Sequence, residues 1–262
     1  MDPIARYNVR RWRALAEANA LFTRPALDLD PERARSKIDP EGLLGDLAGK
    51  RVLCLASGGG QQSVAFALLD AIVTVADLSE EQLERDRQAA EHYGLSMVTV
   101  QADMRDLSEL ERAGFDIVWQ GYSLSFVPEP GVVFREVAGV LARGGLYYVA
   151  VANPFALGIT PEDWNGEGYT LRYPYQDGLE ITTADANWVY DRTAGEEEAI
   201  PPAREYLHKL STLINGVIDQ DFVITRLSDD RDLNPEPDAT PGTWSHLISV
   251  APPWISIWAR RL

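Results

Sequence analysis

Residues 51–83 read RVLCLASGGGQQSVAFALLDAIVTVADLSEEQL, and this stretch constrains the fold more than any other part of the chain. Val52, Leu53, Cys54 and Leu55 form a short continuous apolar run, the pattern of a strand buried on both faces. Gly58, Gly59 and Gly60 follow, and they let the backbone turn sharply and a ligand come against bare main chain. Gln61 to Leu69 reads as a helix with Val64, Ala65, Leu68 and Leu69 on one face. Ala71 to Ala76 reads as a second apolar strand ending at Asp77. Glycine-rich turns join many strands to helices, so the triplet alone says little. The full order of strand, glycine turn, helix, strand and acid, with Asp77 19 residues beyond Gly58, points to a nucleoside-bearing ligand. Such a ligand sits over the turn at the helix N-terminus, its ribose within reach of the acid.

The alternation continues along the chain. Strands are expected near 51–55, 72–76, 96–100, 115–120 and 145–152, and helices near 61–70, 80–93, 106–112 and 131–142. Ser79 with Gln82 makes a capping box, Gly94 ends that helix, and Gly144 and Gly145 end another. Repeated βα units build an open parallel sheet with helices on both faces. Ahead of them, residues 3–22 read as an amphipathic helix carrying Ile4, Tyr7, Trp12, Leu15 and Phe22, and 30–42 as a polar connection. Residues 154–200 break the pattern with Pro, Gly, Asn and the aromatics Phe155, Trp164, Tyr169, Tyr173, Tyr175, Trp188 and Tyr190. They read as an insertion over the ligand end of the sheet, its aromatics either packing a small β-ribbon or lining a pocket. Residues 203–218 return to helix, 222–227 and 254–262 read as strands, and 229–242 is a polar loop.

Two nucleotide signatures are incomplete. The dinucleotide fingerprint G-x-G-x-x-G places Ser63 where its third glycine belongs, and no phosphate-loop lysine follows the turn. The segment resembles instead the first motif of class I S-adenosylmethionine-dependent methyltransferases, commonly V-L-D-L-G-C-G-x-G. VLCLASGGG (52–60) lies on that motif, with Cys54 in place of its acid and Ala56 in place of its first glycine. ADLSEEQL (76–83), QADMRDL (101–107), FDIVWQGYSLSFVPEP (115–130) and GVLARGGLYYVAVANP (139–154) resemble the motifs that follow, in order and spacing. The closest character is that of the ubiquinone/menaquinone C-methylase type, the methyltransferase type 11 group.

The resemblance implies a Rossmann-like α/β fold: a doubly wound seven-stranded sheet of order 3-2-1-4-5-7-6 with strand 7 antiparallel. It implies an N-terminal helical lid over 1–48 and a methyltransferase domain over 49–262, with 154–200 as the substrate-side insertion. It implies S-adenosyl-L-methionine as cofactor, S-adenosyl-L-homocysteine as product and a small-molecule acceptor methylated at O, N or C. Asp77 takes the ribose hydroxyls, Asp103 the adenine amino group and Met104 the ring, with Ala56, Ser57, Gly58, Gly60, Gln62 and Leu78 around the cofactor. Gln120 is placed at the methionyl part. Tyr122 and Phe126 stand where acceptor meets methyl group, Tyr7 and Trp12 belong to the lid, and Trp164 reaches over from the insertion. His208 is the candidate base. The opposing reading is a histidine on the solvated side of a helix, with catalysis by alignment alone.

Composition narrows the partners. A net charge of −16 is a poor match to a phosphate backbone and argues against nucleic acid. No apolar run approaches membrane-spanning length, and charges interrupt the N-terminus throughout, so the cytoplasm is the expected compartment. Cys54 sits inside the first apolar strand and reads as a small buried residue. The three histidines are scattered, so no metal site is expected. A monomer or homodimer fits the remainder. The rival functions are an NAD(P)-dependent oxidoreductase on a similar sheet and a non-catalytic cofactor-binding module.

Overall fold

In the computed structural model, which describes residues 1–183, 200–229, 233–236 and 238–262, a seven-stranded sheet runs through the molecule. Its strands are β1 (Arg51–Leu55), β2 (Ile72–Asp77), β3 (Val98–Gln101), β4 (Phe115–Gln120), β5 (Leu141–Ala152), β8 (Phe222–Ser228) and β9 (Trp254–Arg261). The order is β3-β2-β1-β4-β5-β9-β8. β1 pairs in parallel with β2 and β4, β2 with β3 and β4 with β5, while β9 is antiparallel to both β5 and β8. This is the expected doubly wound order, the last two strands forming an antiparallel edge. A separate ribbon, β6 (Leu179–Thr183) with β7 (Ala203–Leu207), belongs to the segment after β5.

β1 explains the two layers. Leu53 and Leu55 enter one apolar cluster, with Val118, Tyr147 and Ile257, while Val52 and Cys54 enter the other, with Phe66, Trp119 and Trp258. A strand whose alternate side chains are both covered has no polar face, which is why its sequence reads as a continuous apolar run. Helices α3 (Gln62–Ala67), α4 (Glu80–Tyr93) and α5 (Pro130–Val140) make the crossovers. Ser79 caps α4 by accepting the Gln82 N–H, and Gly94 ends it in the left-handed region at φ 64°.

Three expectations are corrected. No helix forms over 106–112. There the Asp106 carboxylate takes the Ser108 N–H, the Glu136 carboxylate takes the Leu107 N–H, and the Leu110 N–H turns back to the Leu107 carbonyl at 3.0 Å, so the segment closes as turns. Residues 203–218 divide into strand β7, a break at His208 and Lys209, and helix α6 (Leu210–Ile218). The β6 ladder, a non-local partner, overrides the helical spacing of Tyr206, Leu207 and Leu210. Residues 30–42 contain helix α2 (Pro31–Ile38), capped by Asp30 and buried through Ala34 and Ile38. Two apolar residues in a charged stretch are a faint signal. His246 lies in helix α7 (Trp244–Val250), the Thr243 hydroxyl accepting its N–H. β5 also begins earlier than expected. Its pairing with β4 shifts between Phe115 and Ile117, and Gly144 stands in the displaced stretch at φ 77°.

The N-terminal helix α1 (Pro3–Glu17) lies over the carboxyl edge of the sheet. Its Asn8 amide donates to the Phe126 carbonyl at 3.0 Å, and the Tyr7 hydroxyl donates to the Pro202 carbonyl at 2.8 Å. Among the described residues no helix is long and apolar enough to cross a membrane.

Candidate cofactor and acceptor site

The strand register builds the site. Leu55 stands opposite Ala76 in β2 and opposite Gln120 in β4, so Ala56, Asp77 and Gly121 leave the sheet at one level. Between β1 and β4 the chain order reverses, and in open α/β sheets that crevice is where ligands bind. Asp77 is opposite Gln101, which carries Asp103 to the same edge two residues on.

The loop after β1 is set by left-handed residues. Ala56 has φ 45°, Gly59 φ 111° and Gly60 φ 70°. The Ala56 N–H donates to the Ala76 carbonyl at 2.7 Å. Ser57 joins the loop to β4, its hydroxyl donating to the Leu55 carbonyl at 3.0 Å and accepting the Gly121 N–H at 3.0 Å. The protein's own packing already calls for glycine here. A Cβ on Gly58 would stand 2.7 Å from the Gln82 Cβ and 3.0 Å from Asp77 Oδ2. One on Gly60 would stand 2.7 Å from the Arg85 carbonyl oxygen and 3.0 Å from the Pro25 Cβ. The segment after α1 covers the loop's outer side, the Ala26 N–H donating to the Gly60 carbonyl at 2.9 Å.

Asp77 is fixed at both oxygens. Oδ2 accepts the Gly58 N–H at 2.9 Å and Oδ1 accepts the Ser79 N–H at 2.9 Å. Burial raises its pKa above the ordinary carboxylate value, and the backbone donors oppose that shift. Each oxygen retains acceptor capacity for a further donor. Asp103 is gripped by Arg105, with Nη2 2.6 Å from Oδ2, and Arg105 reaches on to Asp2, the N-cap of α1, at 2.7 Å. This places the adenine candidate in direct electrostatic contact with the start of the covering helix. Leu78 is half-buried and its carbonyl accepts the Gln101 amide at 3.1 Å, Gln62 opens α3, and Met104 is buried.

Gln120 has no exposed surface, and its amide is engaged in the core. Its Oε1 accepts the Tyr147 hydroxyl at 2.6 Å, and its Nε2 donates to Ser123 at 3.1 Å and contacts the Met104 sulfur at 3.3 Å. Tyr122 and Phe126 meet edge to face at 6.2 Å, and Trp12 of α1 meets Phe126 the same way at 5.7 Å. These three aromatics come together. Trp164 does not join them. Its ring packs on Tyr169 and on His246, with centroids 5.3 and 4.8 Å apart, because α7 sits beside the insertion. Trp188 and Tyr190 lie outside the described residues.

Sequence reasoning missed Glu205. The Tyr122 hydroxyl donates to its Oε1 at 2.6 Å, and burial together with that neighbouring carboxylate raises the phenol pKa well above its ordinary value. Only the β6–β7 pairing, invisible in the local pattern, turns Glu205 toward Tyr122. His208 is buried, against the solvated-face reading. Its Nε2–H donates to the Leu124 carbonyl at 3.3 Å, a contact that leaves Nδ1 as the unprotonated nitrogen, and Nδ1 has no hydrogen-bond partner among the described residues. Burial holds its pKa below the ordinary imidazole value.

The profile of the methyltransferase domain family matches residues 53–149. An uncharacterized methyltransferase of Bacillus subtilis, YbaJ, is 32% identical over 194 residues, 73% of each chain. The chain belongs to the class I S-adenosylmethionine-dependent methyltransferases. A ubiquinone biosynthesis O-methyltransferase from Xanthomonas oryzae is 34% identical over 128 residues, spanning 45% of this chain and about half (52%) of that one. An S-adenosylmethionine-dependent methyltransferase from Mesorhizobium loti has the same fold, with a TM-score of 0.60 at 21% identity over 90% of this methyltransferase and 100% of that chain.

Proposed function

We propose that this methyltransferase moves a methyl group from S-adenosylmethionine to a small-molecule acceptor at the edge between β1 and β4, chiefly by holding the two in line. The observation that carries the reading is Asp77. Its carboxylate is immobilised by Gly58 and Ser79 beside the glycine loop, with lone pairs left for two vicinal hydroxyls. Ala56, Ser57, Gly58, Gly60, Gln62 and Leu78 surround that position, and Asp103 and Met104 stand at the adenine end. The Gln120 amide acts through the floor of the site rather than on the methionyl group, since Tyr147 and Ser123 engage it. Residues 1–48 form the lid, through Tyr7 and Trp12. The segment 154–200 is the substrate-side insertion of the 49–262 domain, and Trp164 belongs to its outer wall.

The cofactor carries the reactive carbon and a good leaving group; the chain orients the partners and excludes water. The Tyr122–Phe126–Trp12 cluster gives the acceptor an aromatic surface. The raised Tyr122 pKa keeps its phenol protonated, so Tyr122 orients and does not accept a proton. A second reading is favoured by one observation: the Nδ1 of His208, without a hydrogen-bond partner among the described residues, is a neutral base in a buried place. As a base, His208 would take the acceptor's proton. Its substitution by Ala would then lower turnover by about 10²–10⁴-fold with cofactor affinity unchanged.

Calorimetry with S-adenosylmethionine, S-adenosylhomocysteine and NAD is the primary test. Binding of the first two at one site, with negligible NAD binding, is the expected result. NAD binding without either sulfur ligand would overturn the reading in favour of the oxidoreductase. A screen of metabolites for S-adenosylhomocysteine release then separates an enzyme from a binding module. The structure of the methylated acceptor then distinguishes O-, N- and C-methylation.

A further inference from the structure

Asp86 lies in the middle of α4 with no exposed surface, on the buried stripe that also holds Leu83 and Ala90. An aspartate is a poor helix former, and a buried carboxylate is costly unless donors satisfy it. Here three donors converge. Oδ2 accepts the Gly59 N–H at 2.9 Å, Oδ1 accepts the Gly60 N–H at 3.0 Å, and the Ser63 hydroxyl donates to Oδ1. Consecutive N–H groups in left-handed backbone form a nest, a concavity that binds anions. In dinucleotide sites such a glycine turn faces the ligand's pyrophosphate. In this chain the nest is filled from within by a carboxylate. Ser63, standing where that fingerprint has its third glycine, holds the carboxylate in place.

We propose that Asp86 and Ser63 are a positioning pair that shapes the glycine loop for an adenosyl cofactor and closes the loop's anion nest to phosphate. The proposal rests on the cofactor reading above. It makes Asp86 a determinant of ligand class: a nucleoside joined to an amino acid fits, and a pyrophosphate would find the loop N–H groups already taken by a carboxyl group. The titratable groups coupled to Asp86 are Asp77 at the end of β2 and Cys54 in β1. Arg85 on its own helix and Arg24 in the overlying segment direct guanidinium nitrogens to the Ala16 and Asn19 carbonyls. Burial, with the neighbouring Asp77 charge, pushes the Asp86 pKa up to about 7, and the Ser63 hydroxyl holds it down against that rise. Protonation removes an acceptor from a carboxylate that has three donors to satisfy. The loop therefore loosens as pH falls through this range.

The test is titration of S-adenosylhomocysteine and of NAD into the full chain between pH 6 and 8, for the wild type, Asp86→Asn and Ser63→Ala. Asp86→Asn sets an amide N–H against a loop N–H. Loss of charge-assisted hydrogen bonds there corresponds to roughly a tenfold to hundredfold weaker S-adenosylhomocysteine affinity at pH 7.5. Wild-type affinity should rise with pH and level off, and in Ser63→Ala the midpoint should move to higher pH. A ligand group titrates alike in both proteins, so only a group that Ser63 touches produces that movement. Hydrogen exchange at the Gly59 and Gly60 amides gives a readout even if Asp86→Asn is too weak to titrate, and should quicken. If both variants stay within about twofold of wild type in affinity, well inside what one lost hydrogen bond to a charged group produces, the proposal fails and the cofactor reading stands. An unmoved midpoint in Ser63→Ala also overturns it, as does wild-type binding of NAD. If the wild type binds no S-adenosylhomocysteine, the cofactor reading fails and the proposal with it.

Discussion

Asp77 holds two backbone N–H groups and, on the proposed reading, two ribose hydroxyls. Asp77→Ala should weaken S-adenosylhomocysteine binding roughly tenfold to several hundredfold, since each charge-assisted hydrogen bond is worth about 1.5–3 kcal/mol. Calorimetry reads that loss, and an affinity within about a factor of two of wild type excludes Asp77 as the ribose ligand. The apo protein should also lose a few degrees in melting temperature, because the Gly58 and Ser79 donors are left without this partner. Gly60 offers a cleaner separation of causes. Its φ of +70° is shared by Gly42, yet an added Cβ on Gly42 meets nothing within 4 Å, whereas on Gly60 it meets the Arg85 carbonyl at 2.7 Å and the Ala89 Cβ at 2.9 Å. Both Gly→Ala variants bear the left-handed backbone cost, and only Gly60→Ala adds overpacking of about 1–3 kcal/mol. Equal losses in denaturant unfolding would show that α4 does not press on the loop as described.

Helix α1 lies outside the ladders of the sheet and is held over the site by side-chain ties, among them Tyr7 to Pro202, Arg13 to Glu81 and Trp12 to Phe126. Asp2 and Pro3 start it, Asn8 is bonded to the Phe126 carbonyl, and Arg105 links Asp2 to Asp103. Such an element opens locally at less than the global unfolding free energy. Asn8→Ala leaves the buried Phe126 carbonyl without this donor, a loss of about 1–3 kcal/mol. Amide exchange across 4–17 should therefore accelerate while β1 and β4 stay protected. Uniform acceleration throughout the chain would show that α1 is part of the global core and not a separately opening lid. The element scale is also where local pattern misleads. β7 and α6 lie next to each other under one apolar spacing, and only the β6 ladder separates them. Over 106–112 the apolar positions Leu107 and Leu110 are buried as a helix would bury them, yet side chains from Asp106 and Glu136 take the Ser108 and Leu107 donors.

The whole molecule stores unfavourable charge at its site. The raised pKa values of Asp86 and Asp77 mean that the folded state binds more protons than the unfolded chain between their unfolded values, 3.8, and their folded values, about 7 for Asp86. Unfolding free energy from these groups is therefore highest at the acid side of the window and falls as pH rises through it. Asp2 works in the opposite sense at lower pH. Its pKa is lowered to about 2 by Arg105, and its contribution is lost as pH falls toward that value. The melting temperature of the wild type should decline from about pH 5 to 7.5, the span of the Asp86 titration, and Asp86→Asn should flatten the decline. A wild-type profile that rises across this window, or an equal slope in both proteins, would contradict the burial assigned to Asp86.

The fold and the cofactor edge were legible in the sequence because their signals are local. Strands buried on both faces must be continuously apolar, as 52–55 is. A left-handed turn against a helix must be glycine, as 59 and 60 are. Asp77 follows its strand directly, so counting along the chain locates it. The tertiary structure alone decided the rest: Glu205 beside Tyr122, His208 buried, Asp86 inside the glycine loop, and Trp164 turned to α7. Each of these depends on contacts between segments far apart in the chain. Local spacing carries no record of which partner a strand or a buried polar atom will find, and the free energy of pairing and desolvation makes that choice only once the chain has closed on itself.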